Sequence, residues 1–311
     1  MPEITLRRIG HGDEAALLGI LNQTFGDLQD LQRTKNVLSS HSFNPDGCFI
    51  ADDNGSAIGC VAVTSLPRKN WLVIRYLAVK RAASRIEVAK KLLSRAIEYA
   101  ESKHFEFLRS TTPAIQPYVD VYKGLGFKPI RRDFRITWDL RELLESARKP
   151  IDTREVTDET IEEASEVFVQ SLHPYWDSRT EEQGGSEAVS RSFKEGVDRG
   201  EKWRLVVSGG HVVGLVGLIS DYYTTSEARF RGAYVVPEHR STGLGMAIML
   251  QALNWARKLG QKKMTVYTFS YLDCLAPGAL LYLKSGGKIE SEYLQLQSHN
   301  KPSIQTTGLK V

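Results

Sequence analysis

The chain has 311 residues, 41% hydrophobic and 25% charged, which is the composition of a globular protein long enough for two domains. Its formal net charge of +4 is small against 41 basic and 37 acidic side chains, so a nucleic-acid partner is not expected. The sequence contains neither an apolar run of ~18 residues, the length of a membrane span, nor the apolar core of a signal peptide. We therefore expect no membrane partner and a cytoplasmic location.

Metal and disulfide chemistry are also disfavoured by the sequence. The three cysteines, Cys48, Cys60 and Cys274, are odd in number and form no Cys-x-x-Cys pair, and the seven histidines form no His-x-x-x-His pair. We expect the protein to need no metal.

The first part of the chain predicts a strand, two helices and a hairpin, followed by a strand, a helix, a strand and a short helix. Asp13 can cap the first helix, and Asp53-Asn-Gly-Ser supplies the hairpin turn. In the third helix, apolar residues recur from Leu92 to Ala100 at a helical period. The predicted ranges are 4–9, 15–25, 31–39, 47–52, 57–63, 71–79, 92–100, 105–108 and the segment before Gly126-Phe127.

The second part of the chain repeats this order. Its predicted strands and helices are 153–156, 161–172, 188–198, 203–207, 212–219, 230–236, 246–256, 263–269 and a short helix from 279. Asp158 is the expected cap of the helix at 161. A charged segment ending at Pro150 separates the copies, so we predict domains at 1–140 and 151–298, a linker at 141–150 and a loose tail at 299–311. A repeat of this length indicates a duplicated domain.

The loop Arg240-Ser-Thr-Gly243-Leu-Gly245 joins a predicted strand to a predicted helix in the second copy. Glycines leave no Cβ in the way of a ligand and tolerate unusual backbone angles, so consecutive N–H groups can face an anion at the positive end of the helix. The spacing differs from that of a Walker loop and from the dinucleotide fingerprint. A glycine-rich turn alone also suits a plain strand-to-helix connection, and the surrounding motifs favour the anion-binding interpretation.

With Val235 and Pro237 ahead of it, this loop fills every fixed position of the pattern Val-x-Pro-x-x-Arg/Gln-x-x-Gly-x-Gly/Ala. It therefore resembles the acyl-CoA loop of the GNAT superfamily of N-acetyltransferases. Tyr282, four residues ahead of Gly286, resembles the tyrosine of the same superfamily, but Gly287 stands where the superfamily has phenylalanine. We expect this departure to weaken packing more than chemistry.

The resemblance implies an α/β (α+β) fold of two tandem GNAT-like domains, each with a mixed, mostly antiparallel central sheet flanked by helices. The two-domain arrangement is similar to that of mycothiol synthase, in which the C-terminal domain is active. No substrate is inferred from that similarity.

The resemblance also assigns roles to individual residues. It implies acetyl-CoA as co-substrate, and it places Tyr282 where the superfamily has a general acid whose phenol can protonate the leaving thiolate. Leu275 stands at the asparagine position of the superfamily, so any interaction of that side chain is missing. The implied cofactor-binding residues are Ala233, Tyr234, Val235, Arg240, Ser241, Thr242, Gly243, Leu244 and Gly245.

A general base is less clearly marked in the sequence. Glu227, just ahead of a predicted strand, and Asp221, just after one, are each placed to reach an amine directly or through a water, although such positions are commonly solvated strand ends. Tyr222 lines the same rim. His173 and Trp176 fall where the superfamily builds acceptor specificity, and their segment is aromatic enough to form a pocket wall.

The equivalent loop of the first copy is degenerate. Ser84 stands at the arginine position, Glu87 aligns with Gly243 and Ala89 aligns with Gly245. A carboxylate at 87 would repel an anionic ligand where backbone N–H groups are needed. We expect the first domain to serve as a scaffold or substrate wall, although Lys80, Arg81 and Arg85 leave open a modified mode of cofactor binding.

The sequence thus predicts an acetyl-CoA-dependent transfer to a primary amine of a small molecule or peptide, by direct attack, in the second domain. Two other functions stay open. One is a protein or peptide N-terminal acetyltransferase, which would need an open acidic or neutral groove, and the other is a non-catalytic acyl-CoA-binding regulator.

Overall fold

The computed structural model describes residues 4–10, 12–25, 34–35, 38, 43–66, 70–80, 85–142 and 151–299. The chain forms two compact units, Met1–Arg132 with Tyr293–Val311, and Asp133–Glu292. Most of the predicted helix at 31–39, Arg81, Ser84, most of the predicted linker and the tail beyond 299 lie outside the described residues.

The strands, in chain order, are β1 (Thr5–Arg8), β2 (Phe49–Asp53), β3 (Ser56–Leu66), β4 (Trp71–Val79), β5 (Phe107–Pro113), β6 (Lys128–Asp139), β7 (Asp152–Glu155), β8 (Lys202–Ser208), β9 (His211–Thr224), β10 (Glu227–Val235), β11 (Lys263–Ser270) and β12 (Lys288–His299). The helices are α1 (Glu14–Phe25), α2 (Arg85–Ser102), α3 (Gln116–Gly124), α4 (Ile161–Gln170), α5 (Asp177–Glu182), α6 (Ser186–Asp198), α7 (Leu244–Lys258) and α8 (Pro277–Lys284).

The sheet of the first unit has the strand order β1-β2-β3-β4-β5-β12. Its pairs are antiparallel except for β4 with β5, whose parallel ladder covers Trp71–Val73 and Phe107–Arg109. Helix α2 packs on this sheet through an apolar stripe that includes the fully buried Leu92, Leu93 and Ala96. The stripe has the helical period predicted from the sequence, because residues three and four apart share one face of a helix.

The sheet of the second unit has the strand order β6-β11-β10-β9-β8-β7. β10 and β11 are parallel, whereas β10 with β9, β9 with β8 and β8 with β7 are antiparallel. Side chains alternate between the faces of a strand, so each face has its own core. Helices α4 and α6 cover one face, around Trp203 and Leu215, and α7 covers the other, around Phe230 and Met264. The mixed, mostly antiparallel sheet flanked by helices is confirmed.

Each unit contains a strand segment from the other part of the sequence. Asp133–Asp139 of β6 belongs to the second unit, and Tyr293–His299 of β12 belongs to the first, where it pairs with β5. The compact units therefore differ from the domains drawn at 1–140 and 151–298. The alternation of a strand identifies its two faces but not its hydrogen-bonded neighbour, so the pattern contains no sign of this exchange.

Two local predictions differ from the structure. Helix α4 has Thr160, not Asp158, as its N-cap, and the Thr157 N–H donates to the Thr160 hydroxyl at 2.9 Å. Strand β9 continues to Thr224, so Asp221 lies within the strand and not after it. The φ angle of Asp221 is 51° and the register shifts nearby, so the strand passes through an irregularity that simple alternation does not reveal.

Candidate active site

The loop between β10 and α7 has a backbone conformation that requires glycine. Gly243 is the N-cap of α7 and its φ of 85° lies in the left-handed region, where a residue with a Cβ is strained. Apart from its chain neighbours, no atom of the described residues lies within 4 Å of the position that a Cβ would take. Ser241 also has a positive φ, 63°, and its side chain is exposed. The first N–H groups of α7 lack intrahelical partners, so this loop can present donors to an anion.

Arg240 ties the start of the loop to the rest of the unit. Its Nε donates to the carbonyl of Val235 at 3.0 Å, and its Nη2 donates to the carbonyl of Ser171 at 2.8 Å. The guanidinium also lies 5.2 Å from the ring centre of Tyr175. The arginine therefore fixes the loop against β10 and the end of α4.

Strands β10 and β11 separate beside this loop. Their parallel ladder covers Glu227–Arg229 and Lys263–Thr265 and stops there, while β10 stays paired with β9 to its end. An irregularity at Gly232, whose φ is 133°, accompanies the separation. The backbone edge of Ala233–Val235 on the β11 side is outside the ladder, and such an edge can hydrogen-bond an extended ligand.

A cavity of about 280 Å³ lies where the two strands have separated. The predicted site residues that line it are Ala233, Tyr234, Val235, Arg240, Ser241, Gly245, Trp176 and Tyr282. The other predicted loop residues, Thr242, Gly243 and Leu244, are their chain neighbours. Lining residues that the sequence did not predict include Tyr175, Phe269, Tyr271, Ala276 and Leu281. The run of aromatic residues at the end of β11 was the available signal for part of this set.

Tyr282 is almost completely buried, with 7% of its surface exposed, and its ring packs against Trp138 and Phe230 with both ring centres 5.8 Å away. Burial raises the pKa of the Tyr282 phenol above the usual tyrosine range, and a backbone hydrogen bond with Ala233 acts in the opposite direction. That contact places the phenol at the open edge of β10. The phenol stays protonated at neutral pH, which is the form that a proton donor needs.

The sequence predicts that Gly287 weakens the packing around Tyr282, but the described residues leave no gap beside this glycine. A Cβ at this position would lie 2.6 Å from Ile136 Cγ2, 2.8 Å from the Tyr282 carbonyl and 2.9 Å from Trp138 Cε2. The space is filled by side chains of β6, and this explains the absence of phenylalanine.

Glu227 lies at the far end of β10, six residues before Ala233, which corresponds to about 20 Å along a strand. Its carboxylate is buried and accepts a hydrogen bond from the Thr265 hydroxyl at 2.6 Å and one from Arg135 Nη2 at 3.3 Å. Lys263 Nζ lies 3.7 Å from the same oxygen. Glu227 does not line the cavity and is held in an ion-pair network at the closed end of the strand pair.

Asp221 also lies outside the cavity lining. Gln261 is buried and its amide makes two hydrogen bonds with this residue, accepting from the Asp221 N–H at 3.1 Å and donating to the Asp221 carboxylate at 2.9 Å. The pair fastens the irregular part of β9 to the turn before β11. This contact gives Asp221 a structural role in the described residues.

Of the three residues predicted to bind the acceptor, His173, Trp176 and Tyr222, the structure does not bring all into the cavity. Trp176 lines the cavity and packs edge-on against Phe269, with ring centres 4.5 Å apart. His173 is exposed and its Nδ1 lies 2.8 Å from an oxygen of Asp177. Tyr222 is 46% exposed and accepts a hydrogen bond from Arg229 Nη1 at 2.7 Å. Only Trp176 of the three predicted acceptor residues belongs to the cavity.

A larger cavity of about 730 Å³ lies at the start of β11, beside Lys262, Lys263 and Lys288. It contains none of the predicted site residues. We place the candidate site at the smaller cavity, where the loop, the open strand edge and Tyr282 meet.

The first unit keeps the same strand separation but uses its tyrosine differently. β4 extends beyond its short ladder with β5. The Tyr122 hydroxyl, however, is hydrogen-bonded to the Ser110 hydroxyl at 2.8 Å, and burial raises the pKa of Tyr122 to about 12. Glu87 and Ala89 lie in the first turns of α2. The phenol of Tyr122 is therefore engaged within the unit.

None of the helices in the described part of the chain combines the length and apolar content that crossing a bilayer requires. Within the same residues, no three His, Cys, Asp or Glu side chains come together as a potential metal site.

A glycine loop at a helix N-terminus, next to a separated parallel strand pair, suits the acetyltransferase fold that the sequence resembles. The family model described as "Acetyltransferase (GNAT) family" matches residues 16–127 and 162–273, which together are most of the chain. The chain therefore belongs to the GNAT family of acetyltransferases, and it is a tandem member with two such domains.

Solved structures share this tandem fold at low sequence identity. A GCN5-related N-acetyltransferase from Sphaerobacter thermophilus is 15% identical, with a TM-score of 0.69 and 97% of each chain covered. A tandem GNAT protein from the clavulanic acid biosynthesis pathway is 15% identical, with a TM-score of 0.67, 97% of this chain covered and 100% of that chain. Similarities at this level show the fold alone. A comparison with curated proteins gives no match.

Proposed function

We propose that the protein transfers an acetyl group from acetyl-CoA to a primary amine and that the second unit carries out the reaction. The observation that supports this most directly is that the loop ending at Gly245, the open edge of Ala233–Val235 and the Tyr282 phenol share one cavity. The first unit lacks the glycines of the loop and has its tyrosine engaged by Ser110. We propose that it serves as a scaffold.

The residues of the second unit suit acetyl-CoA. The backbone N–H groups from Ser241 to Gly245 would hold a pyrophosphate at the positive end of α7. The backbone edge of Ala233–Val235 that lies outside the β10–β11 ladder would hydrogen-bond the amide groups of the pantetheine arm. When bound, the cofactor supplies an activated thioester. Two N–H groups of Arg240 are already donated to the carbonyls of Val235 and Ser171, so we assign this residue a positioning role.

Tyr282 is the proposed proton donor. Its raised pKa keeps the hydroxyl protonated across the neutral range, and its contact with Ala233 keeps the hydroxyl beside the strand edge where the thioester would lie. A donor at this point can protonate the leaving thiolate, which lowers the barrier of acyl transfer.

None of the described residues that line the cavity is a carboxylate that could deprotonate the amine. Glu227 and Asp221 remain the carboxylates proposed from the sequence, but neither lines the cavity, and each has a structural partner. We propose that the acceptor amine loses its proton to water before attack. The rate then depends on the fraction of the acceptor that is neutral.

The acceptor side of the cavity is aromatic. Trp176 and Phe269 form an edge-to-face pair in its wall. Outside the lining of this cavity, on β10 four residues before Ala233, Arg229 is held against the Tyr222 ring at 4.9 Å, and no carboxylate in the described part of the chain pairs with it. We propose that Trp176 contacts the acceptor and that Arg229 favours acceptors carrying an anionic group.

The test is release of free CoA from acetyl-CoA in the presence of a panel of small primary amines and of short peptides with free N-termini, with the products identified by mass spectrometry. Turnover of small amines is the expected result. Turnover of peptides alone would favour the N-terminal acetyltransferase. Tight acetyl-CoA binding by calorimetry, with no CoA released for any member of the panel, would favour the non-catalytic regulator and refute the proposal.

A further inference from the structure

Trp138 belongs to the part of the sequence before the linker, yet it lies in the core of the second unit. It stands near the end of β6 and is 2% exposed. Its ring packs edge-on against Tyr282 at 5.8 Å and against Phe230 at 6.3 Å, with interplanar angles of 83° and 81°. Edge-to-face aromatic contacts fix the relative orientation of rings as well as burying them. Trp138 and Phe230 therefore restrict the plane in which the Tyr282 ring can lie.

Trp138 also reaches the backbone of Tyr282 through a hydrogen-bond relay. Its indole Nε1 donates to Ser285 Oγ at 3.2 Å, and Ser285 Oγ donates to the Tyr282 carbonyl at 2.8 Å. The same carbonyl accepts from the Gly287 N–H at 3.0 Å. Helix α8 has 8 residues, and so short a helix takes its stability from tertiary contacts. The relay attaches its last turn to β6.

The glycine at 287 is explained by this tryptophan. In the first unit, Phe127 follows the glycine of the motif and packs edge-on against Tyr122 at 5.3 Å. In the second unit, the Cβ of any larger residue at 287 would collide with Trp138 and Ile136. In the first unit, the ring that packs edge-on against the tyrosine is Phe127 of the motif itself. In the second unit, that ring is Trp138 of β6.

We propose that Trp138 is the positioning residue for Tyr282, taking over the place of the phenylalanine missing at 287 and holding the phenol at the open edge of β10. This inference rests on the proposed function, because it assumes that Tyr282 donates a proton. A purely structural role predicts a different result, namely that loss of Trp138 would lower stability without acting on Tyr282 in particular.

The experiment compares the full chain with variants at 138, using the best acceptor from the amine panel. Trp138→Leu removes the aromatic edge and the indole N–H, so kcat should fall by about 10- to 100-fold, the usual effect of a small misplacement of a reacting group. The KM for acetyl-CoA should change little, because the loop and the β10 edge are untouched. Trp138→Phe keeps a ring beside Tyr282 and should recover most of the lost rate.

Trp255 provides a matched control. It is also a buried tryptophan in the same core cluster, 8% exposed, and it packs under Arg204 at 4.7 Å. Trp255→Leu should lower the melting temperature about as much as Trp138→Leu and leave kcat unchanged. Equal losses of kcat in the two variants would overturn the inference.

A double-mutant cycle gives the decisive readout. In a Tyr282→Phe background, Trp138→Leu should cause no further loss of kcat, since a positioning residue acts through the group that it positions. Additive losses would show that Trp138 acts on the core as a whole. If Trp138→Leu does not fold, Trp138→Phe and Ser285→Ala enter the same cycle, and their smaller effects must also vanish when Tyr282 is phenylalanine.

The outcomes for the inference and for the proposed function are distinct. A normal kcat for Tyr282→Phe would overturn both the general acid and its positioning residue. A low kcat for Tyr282→Phe together with a normal kcat for Trp138→Leu would leave the general acid in place and overturn the role of Trp138 alone.

Discussion

Glu227→Gln tests whether the buried carboxylate at the start of β10 is a general base or a structural anion. The substitution keeps an oxygen that can accept the Thr265 hydrogen bond, 2.6 Å in the parent, and removes the negative charge. The neighbouring cations keep a second partner, because Arg135 Nε and Lys263 Nζ each lie 2.8 Å from an oxygen of Glu290. The change therefore weakens the network and does not dissolve it.

The cost in stability follows from these contacts. Breaking a fully buried ion pair leaves an uncompensated charge and costs about 3–5 kcal/mol, whereas losing a hydrogen bond to a charged group costs about 1.5–3 kcal/mol. The side chains of Arg135 and Lys263 are 25% and 35% exposed and retain Glu290, so the lower figure applies. We expect Glu227→Gln to lower the free energy of unfolding by about 1.5–3 kcal/mol.

The assay is kcat/KM against pH, with folding checked by thermal unfolding. For a structural anion, kcat/KM stays within about threefold of the parent and rises with pH until the acceptor amine is neutral, whereas loss of a true base typically costs 10²- to 10⁴-fold. Glu201→Gln is the matched control, since the side chain of Glu201 is 10% exposed, as is that of Glu227, and pairs with Arg231 at 2.9 Å. A loss of 100-fold or more at Glu227 alone would refute the structural assignment.

Four other outcomes follow from the same contacts. Gly243→Glu should weaken acetyl-CoA binding at least tenfold in calorimetry, ~1.4 kcal/mol, and unchanged affinity would contradict the loop assignment. Tyr282→Phe should lower kcat by ~10²- to 10⁴-fold, and the parent should keep its rate as pH rises towards 10, because the raised pKa delays ionisation of the phenol. Tyr122→Phe should leave kcat intact and cost ~1 kcal/mol in denaturant titrations through the lost bond to Ser110, with one acetyl-CoA bound per chain; a stoichiometry of two would contradict this. Arg229→Gln should raise KM for carboxylate-bearing amines and not for the matching amides, and equal effects on both would remove its proposed role.

The local parts of the fold are readable from the sequence because short-range rules determine them. Apolar residues at a helical period place α2, and a glycine-rich turn after a strand run places the start of α7. The left-handed φ of Gly243 is what its residue type favours. The residues around the loop gather in one cavity because strand, loop and helix are contiguous in the chain.

The long-range parts are not readable in the same way. Asp221 looks like a free carboxylate at a strand end, but its partner Gln261 is 40 residues away. Glu227 likewise looks like a solvated end, but the Thr265 hydroxyl and the cations of β6 and β11 surround it. Nothing in the residues next to these acids specifies which side chain will meet them, since that depends on strand order and register.

The two tyrosine motifs show that a motif and its contacts carry different information. Tyr122 has the complete motif, with Phe127 beside it, and yet its hydroxyl is bound to Ser110 inside the first unit. Tyr282 has the incomplete motif, and yet its phenol reaches the backbone of Ala233 at the open strand edge. In place of the phenylalanine that is missing at 287, Trp138 of β6 packs against Tyr282, from well over a hundred residues earlier in the chain. The complete or incomplete motif therefore tells us how each tyrosine is packed. Whether that tyrosine can act as an acid depends on what its hydroxyl touches, and this criterion supports our proposal that the second unit carries out the reaction.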